Sequence, residues 1–169
     1  EHLFIPLMQE LVEVEVDTLT ESPLISLVTV LLEYKGKSAE SEEGQELLKR
    51  LSKNIAESII SNPDRLESTP FQRNLTHILK SPSSNDLRRA LAKSLKALEV
   101  SEIKNLVLEK NFGLVLSKLM KFKKLHKEFS PICSKFIKEV REKASSEDKR
   151  NAYSLNALIL AFDEPKFDE

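Results

Sequence analysis

Apolar positions recur along this chain mostly at three- and four-residue spacing, the period of a helix face. From His2 to about Glu15 the apolar side is Phe4, Leu7, Met8 and Leu11, although Glu13-Val14-Glu15-Val16 alternates with period two and also fits a short extended segment. Pro23 to Tyr34 is apolar almost all round, through Leu24, Ile25, Leu27, Val28, Val30, Leu31 and Leu32. That pattern predicts a central buried helix, with Gly36 as its C-terminal cap. A loop from Lys35 to about Glu42 leads into a long helix with a stripe of Leu47, Leu48, Leu51, Ile55 and Ile59, which Asn62-Pro63 stops after about Ser61. Pro70 to Lys80 is the next helix. Asp86 to Leu98 then turns Leu87, Leu91, Leu95 and Leu98 inward, and Ser101 caps a short helix holding Ile103, Leu106 and Val107. Phe112 to about Lys124 presents Phe112, Leu116 and Leu119, and Pro131 to Lys143 presents Ile132, Phe136 and Val140. A last helix, about Glu147 to Phe162, uses Leu155, Leu158, Ile159 and Phe162.

Prolines sharpen these starts. Ser22-Pro23, Thr69-Pro70 and Ser130-Pro131 each place a hydroxyl residue at the N-cap and the ring at the first helical position, where its missing N–H costs nothing. Thr69 with Gln72 matches a capping box. Ser81-Pro82 falls in a loop instead, which leaves Ser81 as a candidate for proline-directed phosphorylation. The turn-rich run Ser81-Pro82-Ser83-Ser84-Asn85 is the best internal boundary. It separates an N-terminal helical extension (1–83) from a helical bundle (84–162), with an acidic tail at 163–169. The expected fold is all-α, a single compact helical bundle of eight or nine helices. HEAT- or armadillo-like stacking is the alternative, since a degenerate solenoid has the same string of short helices.

Composition narrows the function classes. The 169 residues fit one domain or two very small ones. With 40% apolar and 31% charged residues and a mean hydropathy of -0.31, the chain can fold but is too charged for a membrane protein. No apolar run reaches the roughly 18 residues of a span, and the start shows no signal-peptide pattern. Beginning at Glu1 rather than Met, the sequence is expected to be a piece of a longer chain. Three glycines are too few for phosphate-cradling loops, dinucleotide fingerprints or nucleophile elbows. A lone Cys133 can form neither an internal disulfide nor a thiolate zinc site, so the reducing cytosol or nucleus is the expected compartment. It reads as a small packed residue beside Ile132 and Phe136. Asn74-Leu75-Thr76 matches a glycosylation acceptor but lies mid-helix and is discounted. His2, His77 and His126 lack metal-ligand spacing, and no acid–base or nucleophile pair is visible. No enzymatic activity, metal or cofactor is therefore expected.

Charge changes the picture more. Residues 1–84 hold eight basic and fourteen acidic side chains, a net of -6, while 109–143 hold ten basic and four acidic, a net of +6. Residues 85–108 carry +2 and 144–169 carry -3, so a near-neutral total hides a basic block. Its densest part is Lys118, Lys121, Lys123, Lys124 and Lys127, interleaved with Phe122, Leu125 and Phe129. A solvated helix face accounts for the lysines alone. Leu125 and Phe129, however, fall in an expected loop, where they would form an exposed apolar patch rimmed by positive charge. Such a patch suits a peptide with aromatic anchors among Asp and Glu. Phosphate binding is the competing use, and the acidic N-terminal half disfavours nucleic acid as the primary ligand.

One stretch also resembles a known family. Leu95-Lys-Ala-Leu98-Glu-Val100-Ser101, then Lys110-Asn-Phe-Gly113 with Leu116 and Leu119 at +3 and +6, then Ile132-Cys133, Phe136-Ile137 and Val140, is similar to the TFIIS N-terminal (LW) domain, found in TFIIS, elongin A, PNUTS and LEDGF. The likeness spans about 60 residues, with Val140 where the family carries Trp. It implies a nuclear docking module of transcription and chromatin complexes, with the cytosol as the alternative location, that binds proteins through disordered, acidic, Phe-containing motifs held by interhelical loops. Carried onto this chain, those loops are Ser81 to Leu87, with Arg88 beside it, and Phe122 to Phe129. The sequence Phe162-Asp-Glu-Pro-Lys-Phe167-Asp-Glu is itself acidic and Phe-bearing, either a ligand-like segment or a solvated end.

Overall fold

The structure, a computed structural model, describes residues 2–15, 18, 24–81, 84–149 and 152–168, without the side chains of 24 and 25. The fold is all-α, with eleven α-helices among the described residues. None of these is long and apolar enough to cross a membrane. The chain forms two compact units, Glu1–Leu95 and Lys96–Glu169. The division thus falls near the end of a helix rather than in the Ser81–Asn85 run, of which residues 82 and 83 lie outside the described residues.

In the first unit, α1 (Phe4–Glu13) buries Phe4, Met8, Leu11 and Val12 against α4 (Glu42–Ser61), which returns Leu51, Ile55, Ala56 and Ile59. Asn54 Nδ2 donates to the Val12 carbonyl (3.1 Å), and Arg50 pairs with Glu13 (2.7 Å). Ser41 caps α4, its hydroxyl accepting the Gly44 N–H at 3.0 Å. Leu47 and Leu48, expected in the stripe, are only half-buried.

α2 (Leu24–Glu33) corrects the expectation of a central buried helix. It buries Val28, Leu31 and Leu32 on one face and leaves Val30 66% exposed on the other. The expected start at Pro23 lies outside the described residues. Gly36 does not cap α2 either: at φ -86° it precedes α3 (Lys37–Glu40), a short helix inside the expected loop.

A 3-10 turn (Pro63–Glu67) follows α4, and α5 (Thr69–Lys80) packs on α2. Thr69 is the first helical residue and Ser68 the N-cap, so the expected capping box does not form. Gln72 reaches back to the Leu66 carbonyl instead. α6 (Asn85–Lys96) turns Leu87, Arg88, Leu91, Ala92 and Leu95 inward. Arg88, expected at a partner-binding loop, is buried. Its Nη1 donates to the Leu79 (3.1 Å) and Ser81 (2.6 Å) carbonyls at the end of α5, and the Ser81 carbonyl also accepts the Ser84 N–H (3.1 Å). Arg88→Met removes the guanidinium from both carbonyls and is expected to lower stability by about 1–3 kcal/mol in urea melts.

The second unit contains α7 (Val100–Glu109), α8 (Phe112–Leu119), α9 (Lys123–Cys133), α10 (Ile137–Ser146) and α11 (Tyr153–Asp163). α7 starts two residues earlier than expected: Glu99 is the N-cap, and Glu102 Oε2 accepts the Glu99 N–H at 2.7 Å, so Ser101 is not the cap. α8 is the buried centre of this unit, with every residue but Lys118 withdrawn from solvent. It packs most extensively on α11. α10 is tied to α7 by Lys143, which donates to the Leu108 carbonyl (2.6 Å) and pairs with Glu109 (2.8 Å), and to α11 by Arg141 and Asp163 (2.5 Å). The carboxylate partner raises the Arg141 pKa.

The two largest departures from the sequence reading lie here. Ser130-Pro131 does not open a helix. Leu125, Phe129 and Cys133, at i, i+4 and i+8, form one buried face that carries α9 through Pro131 to Cys133, and α10 begins afresh at Ile137. Because Pro131 sits in the last turn, it costs a single backbone hydrogen bond rather than breaking a long helix. Similarly, Glu147 is extended at the end of α10 instead of starting the last helix. The additional helix α9, together with α3, raises the count above the expected eight or nine.

Candidate functional site

The basic-aromatic cluster is not arranged as the sequence suggested. Leu125 and Phe129 are on α9 rather than in a loop, and both are buried, Phe129 completely. Lys123, Lys124 and Lys127 project from the opposite, exposed face of the same helix. Lys123 and Lys127 have no ion-pair partner among the described residues. Charges and apolar anchors on one helix therefore point in opposite directions, and the expected patch of Leu125 and Phe129 ringed by lysines does not exist. Phe122, half-buried, is the N-cap of α9.

Cys133 closes α9 with its thiol pushed up to about 12 by burial, so it is a neutral packed group at physiological pH. Glu128 is different. The Lys96 ammonium donates to it at 2.7 Å and holds its carboxyl below the ordinary value of 4.5. A depressed carboxyl pKa stabilises the fold fully above the unfolded value, and that contribution disappears as pH falls through the folded one. Glu128→Gln is accordingly expected to lower stability slightly at every pH above about 4.5 and to make no difference once the pH is well below it, so that wild-type and variant stability–pH curves converge in acid.

Two members of the cluster do meet an apolar surface. Lys118 and Lys121 lie on the rim of an open groove of about 430 Å³ between α8 and α11. Its walls are Ser117 and Met120 on one side and Tyr153, Asn156, Ala157, Leu160 and Ala161 on the other, with Glu164, Pro165 and Lys166 at the end. Tyr153 and Leu160, 59% and 58% exposed, are seven residues apart and so share the outer stripe of α11. Exposed large apolar side chains beside a groove mark a binding surface more often than chance.

The close approach that shapes this groove is set at Gly113. A Cβ there would stand 2.6 Å from the Ser154 carbonyl oxygen, so only glycine lets the start of α8 lie this near the start of α11. Ser154 locks the contact: its hydroxyl accepts the Leu114 N–H (2.9 Å) and donates to the Asn111 carbonyl (2.7 Å). Asn111 itself has φ 57°, a left-handed conformation that asparagine tolerates.

Sequence reasoning missed the α11 wall. The signal was present: Leu155 and Leu158 fill the inward face, yet Tyr153, Ala157, Leu160 and Ala161 form a second apolar stripe that one-sided burial does not require. Comparisons with protein-family models, curated proteins and solved structures find no match to this chain.

Proposed function

We propose that this chain is a non-enzymatic protein-docking module whose α8–α11 groove takes short disordered segments carrying Phe among Asp and Glu. The observation that carries the reading is the open apolar groove with Lys118, Lys121 and Lys166 around it, the first two from the block of net charge +6 over 109–143. Aromatic side chains gain affinity by leaving water in the groove, and the surrounding lysines speed encounter with an acidic segment. Placement in nuclear transcription, chromatin or RNA-processing assemblies rests on the likeness of the Leu91 to Arg141 stretch to the TFIIS N-terminal domain.

Fluorescence anisotropy with a short synthetic peptide bearing two Phe among Asp and Glu tests this. The wild-type chain should bind it, and Leu160→Glu, an exposed change, should weaken binding at least about tenfold while leaving Tm nearly unchanged. Equal binding by wild type and variant, equal binding of an all-Glu peptide without Phe, or no binding at all would each contradict the reading. Lysine contacts spread over successive helices in a crosslinking map would favour the HEAT- or armadillo-like scaffold instead.

A further inference from the structure

The acidic, Phe-bearing stretch after α11 does not stand free of the protein. Asp168 donates its backbone N–H to the Lys121 carbonyl at 3.0 Å, and its carboxylate lies 4.0 Å from Lys121 Nζ. The adjacent Phe167 sets its ring edge-on to His126, with centroids 5.3 Å apart and planes at 83°. A backbone hydrogen bond, a charge pair and a ring contact thus converge on two consecutive residues, at the same Lys121 that borders the groove. These are the elements by which an extended peptide is read: main-chain pairing for register, a pocket contact for the aromatic and a cation for the acid. We propose that Lys121 and His126 form a recognition subsite for a Phe-Asp pair, and that the chain's own Phe167-Asp168 occupies it in cis. The inference rests on the docking reading and deepens it by naming the ligand: a segment with the chemistry of residues 162–169.

The cis contact is built to be displaced. Phe167 remains 39% exposed and the Lys121–Asp168 pair is open to solvent, so its charge attraction is weak. What holds it is the short connection through Glu164, Pro165 and Lys166, which presents the pair at an effective concentration on the order of 1 mM. Against a free peptide with a Kd of about 100 μM, that occupancy lowers apparent affinity roughly tenfold.

The test uses a fluorescent peptide of this chain's residues 162–169, titrated against the full chain and the full chain carrying Phe167→Ala and Asp168→Ala. The double variant should bind about tenfold more tightly than the wild type, and adding Lys121→Glu should abolish the gain. Equal affinity for wild type and double variant, or indifference to Lys121→Glu, would overturn cis occupancy. If the double variant ignores this peptide yet binds the synthetic two-Phe acidic peptide, the docking reading survives and this ligand assignment fails. If it binds neither, both fail. Both substituted positions are exposed, and a thermal melt of the double variant matching the wild type confirms that binding is compared on the same fold.

Discussion

Phe129→Ala is expected to destabilise the chain by about 3–5 kcal/mol, a third or more of what holds a typical domain together. The ring is completely buried on the inner face of α9, between Leu125 one turn before and Cys133 one turn after, in a unit whose core also contains Phe112, Phe136 and Val140. Truncation removes the largest side chain of that face and leaves a cavity that the surrounding helices fill only in part. In urea the midpoint should fall with the slope unchanged. Lys127→Ser, two residues away on the exposed face, should stay within about 0.5 kcal/mol of wild type. A Phe129→Ala chain as stable as wild type would mean the ring is a surface anchor and the burial of α9 is wrong.

Gly113→Ala should cost about 1–3 kcal/mol although it adds a single methyl. The new Cβ meets the Ser154 carbonyl oxygen, which belongs to the backbone and cannot rotate away, so the starts of α8 and α11 must separate. Separation stretches the hydrogen bonds that join Leu114, Ser154 and Asn111, all within a buried contact. It also alters the spacing of the groove walls. The same variant should therefore lose affinity for an acidic-aromatic peptide even at temperatures where it is folded. Gly36→Ala is the control: its Cβ meets the far end of the Tyr34 side chain, which can move, and the cost should be well under that of Gly113→Ala.

How much of this was legible in the sequence depended on whether local pattern or tertiary contact decided each feature. Asn62-Pro63 ended α4 as read, because a residue before proline resists helical backbone whatever its surroundings. Ser130-Pro131 looked equally clear as a helix start. There the buried face of Leu125, Phe129 and Cys133 outweighed one lost hydrogen bond, and the local signal misled. That error placed Leu125 and Phe129 in a loop and produced an apolar patch that does not form. Lys118 and Lys121 were singled out on charge, and they do border a groove, but the wall they face comes from α11, more than thirty residues away in sequence. Arg88 shows the opposite case: counted as a surface cation, it is buried where its guanidinium donates to the Leu79 and Ser81 carbonyls at the end of α5, contacts that only the folded chain reveals.

The most direct test of the docking account is a backbone amide NMR titration of the full chain with the two-Phe acidic peptide. The account predicts shifts concentrated on the groove walls, at Lys118, Met120, Lys121, Tyr153, Ala157 and Leu160, with little change at Lys123 and Lys127 on the outer face of α9. Shifts confined to that outer face, shifts spread evenly over helices of both units, or no shifts at saturating peptide would contradict it.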